Sequence, residues 1–215
     1  MLKVEDIRKY FIEELKNENY VTDKTGVEML ELIGASFIAD QETIFGPVNA
    51  DYVQRELDWY KSMSLNVNDI PGKTPAIWEQ VADKDGFINS NYGWCIWSEE
   101  NNRQYWKVWT ELLQHPNSRR AVMIYTRPTM WDDYNHNGRS DFMCTNTVQY
   151  LIRNGKLDVV VQMRSNDVVF GYRNDFAWQL HVQHLMAAAL GVTPGQIHWQ
   201  VGSLHVYERH FDMVK

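Results

Sequence analysis

The chain has 215 residues, 44% hydrophobic and 23% charged, which fits one globular domain and excludes an unfolded or low-complexity chain. Twenty-one basic against 28 acidic residues leave a net charge of −7, so polymeric nucleic acid finds no basic footprint, although a few local Arg and Lys suffice for one phosphate. No apolar run reaches the roughly 18 residues of a membrane span and the first residues (MLKVEDIRKYF) lack a signal-peptide core, so a cytoplasmic protein with no membrane partner is expected.

Residues 4 to 17 set Val4, Ile7, Phe11 and Leu15 at helical spacing, which predicts a helix. After the turn Asp23-Lys24-Thr25-Gly26, Met29 to Ile38 is rich in β-formers and reads as a strand. Tyr52, Val53, Leu57 and Tyr60 predict a helix over 50 to 63, and another runs from about Tyr105 to Leu113, stopping before Pro116. Ala121 to Thr126 reads as a buried strand. Thr147 to Ile152 and Leu157 to Met163 are β-rich runs around Asn154-Gly155, the strongest short hairpin signal. Residues 176 to 190 form a mostly apolar helix ended by Gly191, followed by a turn at Thr193-Pro194-Gly195 and a strand from Gln196 to Tyr207. With no repeat or linker, the expectation is a single α+β domain over 1–215.

Cys95 and Cys144 are too few for a disulfide framework and are expected as free thiols. Cys144 follows a polar, turn-rich stretch and opens the first hairpin strand, where Arg119, Arg120 and Arg164 could lower its proton affinity and make it a nucleophile. A buried Cys with only a packing role is the plain alternative. Ser118-Arg119-Arg120 and Arg164-Ser165 couple guanidinium with hydroxyl, donors suited to a phosphate, against the alternative of surface salt bridges. His205 and Tyr207, two apart in a strand, share a face and could grip a sugar hydroxyl. Asp133 to Gly138 matches half of a calcium loop, but its twelfth position is Cys144 rather than Glu. His181 and His184 lack partners for a zinc site, so no metal is expected.

The ordered segments Ser118-Arg119-Arg120, Cys144, Gln162 to Asp167, Gly171 and His205-Val206-Tyr207 resemble the thymidylate synthase superfamily, as do Asp23 to Gly26, Arg55-Glu56-Leu57, Ile77-Trp78 and Asn91-Tyr92-Gly93 upstream. Ile33 to Phe37, Asp141 to Thr147 and Arg164 to Asp175 look most like the bacteriophage branch that hydroxymethylates deoxycytidylate. Met143-Cys144-Thr145 replaces the Pro-Cys-His usual in the synthases. Asp175 stands where the synthases typically carry the Asn that reads uracil. Cytosine presents the reverse edge, an N4 donor and an N3 acceptor, which a carboxyl can match either protonated or against N3-protonated cytosine. The alternative is an Asp capping a helix that begins near Phe176.

The resemblance implies a thymidylate synthase-like fold, a mixed sheet flanked by helices with one sheet face packed in a homodimer. It implies that dCMP, 5,10-methylenetetrahydrofolate and water give 5-hydroxymethyl-dCMP and tetrahydrofolate; dUMP methylation and CMP hydroxymethylation are the alternatives. Cys144 would attack C6, Glu56 would relay protons, and Asp175 would read the base. Lys24, Arg164 and Ser165 would hold the phosphate, with Arg119 and Arg120 reaching it from the partner subunit. His205 and Tyr207 would bind the sugar, Tyr92 would line the pocket, and Trp78, Asn166 and Asp167 would contact folate. Association in a phage nucleotide-synthesis complex also follows from the resemblance. Family members continue for some tens of residues past the His-Val-Tyr segment, so the C-terminal tail is expected to be short or missing here.

Overall fold

All 215 residues are described by the computed structural model, and the chain falls into two units, Met1–Val48 with Tyr150–Lys215, and Asn49–Gln149. The first stretch carries β1 (Leu2–Lys3), α1 (Val4–Lys16), β2 (Val21–Thr22) and β3 (Glu28–Ile38). Next come α2 (Ala50–Ser62), α3 (Ala76–Val81), α4 (Tyr92–Trp97), α5 (Gln104–Gln114), β4 (Val122–Ile124), α6 (Met130–Asp133) and β5 (Thr145–Arg153). The chain ends with β6 (Lys156–Asp167), α7 (Gly171–Leu190) and β7 (Thr193–Tyr207).

In the first unit, β3 pairs antiparallel with β7, while β1 on β3 and β6 on β7 are parallel, so the sheet is mixed. Helix α1 buries the Val4, Ile7 and Phe11 stripe that its periodicity announces, and the carboxylate of Asp6 accepts the Lys3 amide at 2.9 Å to satisfy the helix start. Helix α7 covers β6 and β7 and buries Tyr172, Phe176, Trp178, Val182 and Met186. Each such side chain contributes about 1.5–3 kcal/mol when fully buried. Asn154 and Gly155 take φ of 50° and 74°, the two left-handed residues that a type I′ turn needs between β5 and β6.

Several expected boundaries move: the strand expected as buried over Ala121–Thr126 shrinks to Val122–Ile124 with Ile124 exposed, and the one expected to end at Met163 runs on to Asp167. The segment 193–195 is strand rather than turn: Gly191 at φ 68° already reverses the chain, and Thr193 and Pro194 pair with Lys156 and Leu157. A register irregularity follows at Leu157/Val159, where the Asp158 carboxylate accepts the Gln196 amide at 2.7 Å. Helix α7 begins at Gly171 instead of 176, directly after a turn in which Asp167 Oδ1 accepts the amides of Val169 (2.9 Å), Phe170 (2.6 Å) and Gly171 (3.4 Å).

In the second unit, β4 pairs antiparallel with Thr147–Gln149 of β5. Rings run in contact from Trp78 through Trp59, Tyr60 and Tyr92 to Tyr125, with successive centroids 5.2 to 5.3 Å apart. Helix α4 lies so close to α2 that a Cβ on Gly93 would sit 1.8 Å from the Tyr60 carbonyl oxygen, so only glycine fits there. The buried Asn91 starts α4: its Oδ1 accepts the Trp94 amide at 2.8 Å, and its Nδ2 donates to the carbonyls of Trp59 (3.1 Å) and Ser64 (2.8 Å). No helix is long and apolar enough to cross a membrane.

Candidate active site

Helix α2 opens on Asn49, whose side chain accepts the Tyr52 amide at 3.0 Å. One turn on, Tyr52 donates its hydroxyl hydrogen to Glu56 Oε1 at 2.5 Å. The Trp78 indole of α3 donates to the Tyr52 oxygen at 3.0 Å and to the same Glu56 Oε1 at 3.3 Å. Glu56 is only 5% exposed, and burial pushes its carboxyl up to about 7, with the Tyr52 and Trp78 donors pulling the other way. A carboxyl that titrates near neutrality suits proton relay. Glu56 and Trp78, far apart in sequence, are thus brought into direct contact.

Cys144 lies one residue before β5 rather than opening it, half-buried, with Sγ 3.8 Å from the Phe142 carbonyl oxygen. Its neighbour Thr145 donates its hydroxyl hydrogen to the Tyr92 hydroxyl at 3.0 Å, which ties Tyr92 to the strand that follows Cys144. On the other side, the buried Asp141 accepts the amides of Asn89 (2.7 Å) and Ser90 (2.8 Å) at Oδ2 and the Ser90 hydroxyl (2.7 Å) at Oδ1. Arg139 donates to Asp83 Oδ2 and Asn89 Oδ1, both at 2.8 Å. The segment leading to Cys144 is therefore pinned to residues 83–90. The other thiol, Cys95, is buried, and burial pushes it up to about 12, which removes it as a nucleophile.

Arg119 and Arg120 are exposed just before β4. In this chain the Arg120 guanidinium meets Glu111 Oε1 of α5 at 3.0 Å, and the Ser118 hydroxyl donates to that same oxygen at 2.6 Å. The carbonyl of Arg119 accepts from Gln149 at 2.8 Å, leaving its side chain projecting outward.

In the other unit, Lys24 projects from a turn built on Asp23, whose Oδ1 accepts the Thr25 amide and hydroxyl at 2.7 and 2.6 Å. Register places Met29 opposite Tyr207, Glu31 opposite His205, and Asp167 opposite His205 on the other side. The Lys24 turn, Asp167, His205 and Tyr207 therefore gather at one end of the sheet. The His205 and Tyr207 rings meet edge-on with centroids 5.0 Å apart, on the shared face that strand alternation predicts. Arg164 is exposed and Ser165 half-buried on β6.

Asp175 is not a helix cap: it lies in the second turn of α7, which begins at Gly171. Instead the buried Asn166 donates Nδ2 to Asp175 Oδ2 at 2.7 Å and accepts the Trp199 indole N–H on Oδ1 at 3.2 Å. A core tryptophan thus orients the amide that orients the carboxylate. Asp167 spends Oδ1 on the turn before the helix, while its Oδ2 is buried with no hydrogen-bond partner. An orphaned carboxylate oxygen of this kind fits the N–H groups of a ligand such as a pterin. No group of three or more His, Cys, Asp or Glu is placed to hold a metal ion, and the stretch resembling a calcium loop coils into a short 3₁₀ turn at His136–Gly138.

Sequence reading missed Tyr52, Asp141 and Thr145. The i, i+4 spacing of Tyr52 and Glu56 on one helix was a usable signal for the first. The other two make bonds to residues about 50 positions away, which no local pattern announces.

The thymidylate synthase family model matches residues 9–215. Deoxycytidylate 5-hydroxymethyltransferase of Enterobacteria phage T4 is 58% identical over 220 residues, covering 99% of this chain and 89% of the relative, and the phage T2 protein of the same name matches equally. Thymidylate synthase of Bacillus subtilis subsp. natto is 30% identical over 170 residues, 75% of this chain and 58% of that protein. Among solved structures, thymidylate synthase from T4 phage superposes with a TM-score of 0.79 at 23% identity, covering 99% of this chain and 78% of that one, and bears out the α+β, synthase-like fold. The chain belongs to the thymidylate synthase family.

Proposed function

We propose that the protein is a deoxycytidylate 5-hydroxymethyltransferase, which converts dCMP, 5,10-methylenetetrahydrofolate and water to 5-hydroxymethyl-dCMP and tetrahydrofolate. The observation that carries this reading is the 58% identity across 99% of the chain to relatives of that name. Asp175 supports it independently, since a carboxyl held by Asn166 matches a cytosine edge better than a uracil edge.

Cys144 Sγ adds to C6 of the base, and the electron pair of the C5–C6 bond moves to C5, which becomes the nucleophile. Methylenetetrahydrofolate supplies a one-carbon unit at the oxidation level of formaldehyde. C5 bonds to that carbon and then gives up its proton as the carbon's bond to the folate nitrogen breaks and the folate leaves as an amine; water adds to the exocyclic carbon, and the Cys144 thiolate leaves as the C5–C6 double bond re-forms. No hydride is needed, so the folate departs unoxidised, unlike in a thymidylate synthase. Glu56, with its carboxyl near neutrality, holds and moves protons beside the base.

Lys24, Arg164 and Ser165 bind the phosphate, His205 and Tyr207 the sugar hydroxyl, and Tyr92 lines the base pocket. Asp167, through its orphaned Oδ2, Trp78 and Asn166 contact the folate, and Asn166 also engages Asp175. Arg119 and Arg120 serve the phosphate of a second subunit in a homodimer formed on the open sheet face, where Ile33 stands 78% exposed in the middle of β3. On this reading both units form one catalytic domain, over which the family match runs from residue 9 to 215. The enzyme works in the host cytoplasm, where a phage nucleotide-synthesis complex would be its setting.

Incubation with methylenetetrahydrofolate and C5-tritiated dCMP tests the proposal. The expected result is tritium release with 5-hydroxymethyl-dCMP as product and no dihydrofolate, abolished by Cys144→Ser. Dihydrofolate formed from dUMP in preference would identify a thymidylate synthase instead.

A further inference from the structure

Glu56 has two carboxylate oxygens, and both hydrogen bonds it accepts from Tyr52 and Trp78 fall on Oε1. The direction of the Tyr52 bond is dictated by its neighbour. Trp78 can only donate, so the Tyr52 oxygen accepts from it at 3.0 Å and must turn its own hydrogen elsewhere, onto Glu56. We propose that Tyr52 is a positioning residue for Glu56, occupying Oε1 as a permanent donor so that Oε2 is the oxygen that takes and returns protons during hydroxymethyl transfer. The proposal deepens the hydroxymethyltransferase reading and rests on it for what the proton serves.

Three observations sustain it. First, Tyr52 cannot itself compete for the role: burial, then the adjacent Glu56 charge, hold its phenol far above the ordinary value, so it stays protonated at any working pH. Second, a protonated Glu56 cannot carry its hydrogen on Oε1 without facing the Tyr52 hydrogen and the Trp78 N–H, so the proton is confined to the other oxygen. Third, the donors offset burial, which would otherwise lift the carboxyl further and leave less of the ionised form at neutral pH. The charge facing the pair from α2 is Arg55, over the Tyr52 ring at 5.6 Å and bonded to Asp51 at 3.0 Å. From α3 the facing group is the uncharged indole of Trp78.

The test compares wild type, Tyr52→Phe and a protein with 3-fluorotyrosine incorporated at position 52 only, whose phenol is a stronger donor of nearly the same shape. Two readouts are taken: the acid limb of kcat/KM for dCMP against pH, and the titration of the Glu56 carboxyl by carbon-13 NMR without substrate. Removing the donor should raise the Glu56 proton affinity and move both upward by about one pH unit, about a tenfold loss of rate well below the limb. The loss should fall mainly on kcat rather than KM. The fluorinated protein should move both downward, an outcome that mere structural support by Tyr52 does not produce. The proposal is overturned if neither substitution moves the carboxyl titration, or if kcat/KM keeps its pH profile while that titration shifts. If Tyr52→Phe does not fold, the fluorinated protein alone decides by the presence or absence of the downward shift. A wild-type protein that releases no tritium from dCMP refutes the hydroxymethyltransferase reading, and the carboxyl titration still judges the Tyr52–Glu56 geometry.

Discussion

Replacing Asp141 by Ala should remove a substantial part of the stability of the protein. In the native chain its carboxylate takes three hydrogen bonds, from the amides of Asn89 and Ser90 and the hydroxyl of Ser90, at 2.7 to 2.8 Å. Truncation leaves two main-chain N–H groups without acceptors at positions that are themselves buried, Asn89 at 2% and Ser90 at 5% exposure. The Ser90 hydroxyl can rotate to another acceptor; the amides cannot. At about 1–3 kcal/mol for each of the two stranded amides, the loss is about 2–6 kcal/mol, against total stabilities of about 5–15 kcal/mol. For a chain of this size that is a fall in Tm of about 4–24 °C. Thermal melting by circular dichroism measures it, and Asp141→Asn, which keeps one acceptor oxygen, should fall between wild type and Ala. Because the same carboxylate pins the segment before Cys144, alkylation of that thiol by iodoacetamide should change rate in the Ala variant at temperatures where it remains folded. A Tm within about 2 °C of wild type would show that the amides find other partners and that the clamp is not what holds this segment.

Gly93→Ala should destabilise by about 3 kcal/mol or more, since the added Cβ would lie 1.8 Å from the Tyr60 carbonyl and α4 cannot retreat without breaking the ring chain; urea unfolding gives the value. Arg139→Gln should raise the pH of acid unfolding. Burial works to raise the Asp83 carboxyl, but the Arg139 bond and the Phe87 and Asp85 amides outweigh it and hold the group below its ordinary value. The stability it contributes is thus complete above about pH 4 and lost as pH falls through the lower folded value; an acid titration followed by circular dichroism should show the variant unfolding earlier, and an unchanged midpoint would remove Arg139 from the account. Asp175→Asn should shift preference from dCMP toward dUMP by about 5- to 150-fold, the equivalent of about 1–3 kcal/mol for one mismatched polar edge, and competition between the two nucleotides measures it.

Read alone, the sequence determined the elements whose information is local. The Val4, Ile7 and Phe11 stripe, the Asn154-Gly155 turn and the alternation of His205 and Tyr207 each depend on neighbours within a few residues, and each appears in the structure as spacing predicts. The ordered motifs around Cys144 and Arg164 likewise pointed to a family, because a series of short identities needs no geometry to be recognised. Tertiary structure decided the rest. Helices α3, α4 and α6, of four to six residues, are too short to show a period; the Asn91 cap holds α4, and ring contacts of Trp78 and Trp131 hold α3 and α6. The role of Asp175 depended on the true start of α7, which follows a turn held by a carboxylate four residues upstream, and on an amide that a buried tryptophan orients. The proton affinity of Glu56 was invisible in sequence for the same reason: it is set by how much water the fold removes and by which donors the fold turns toward one oxygen.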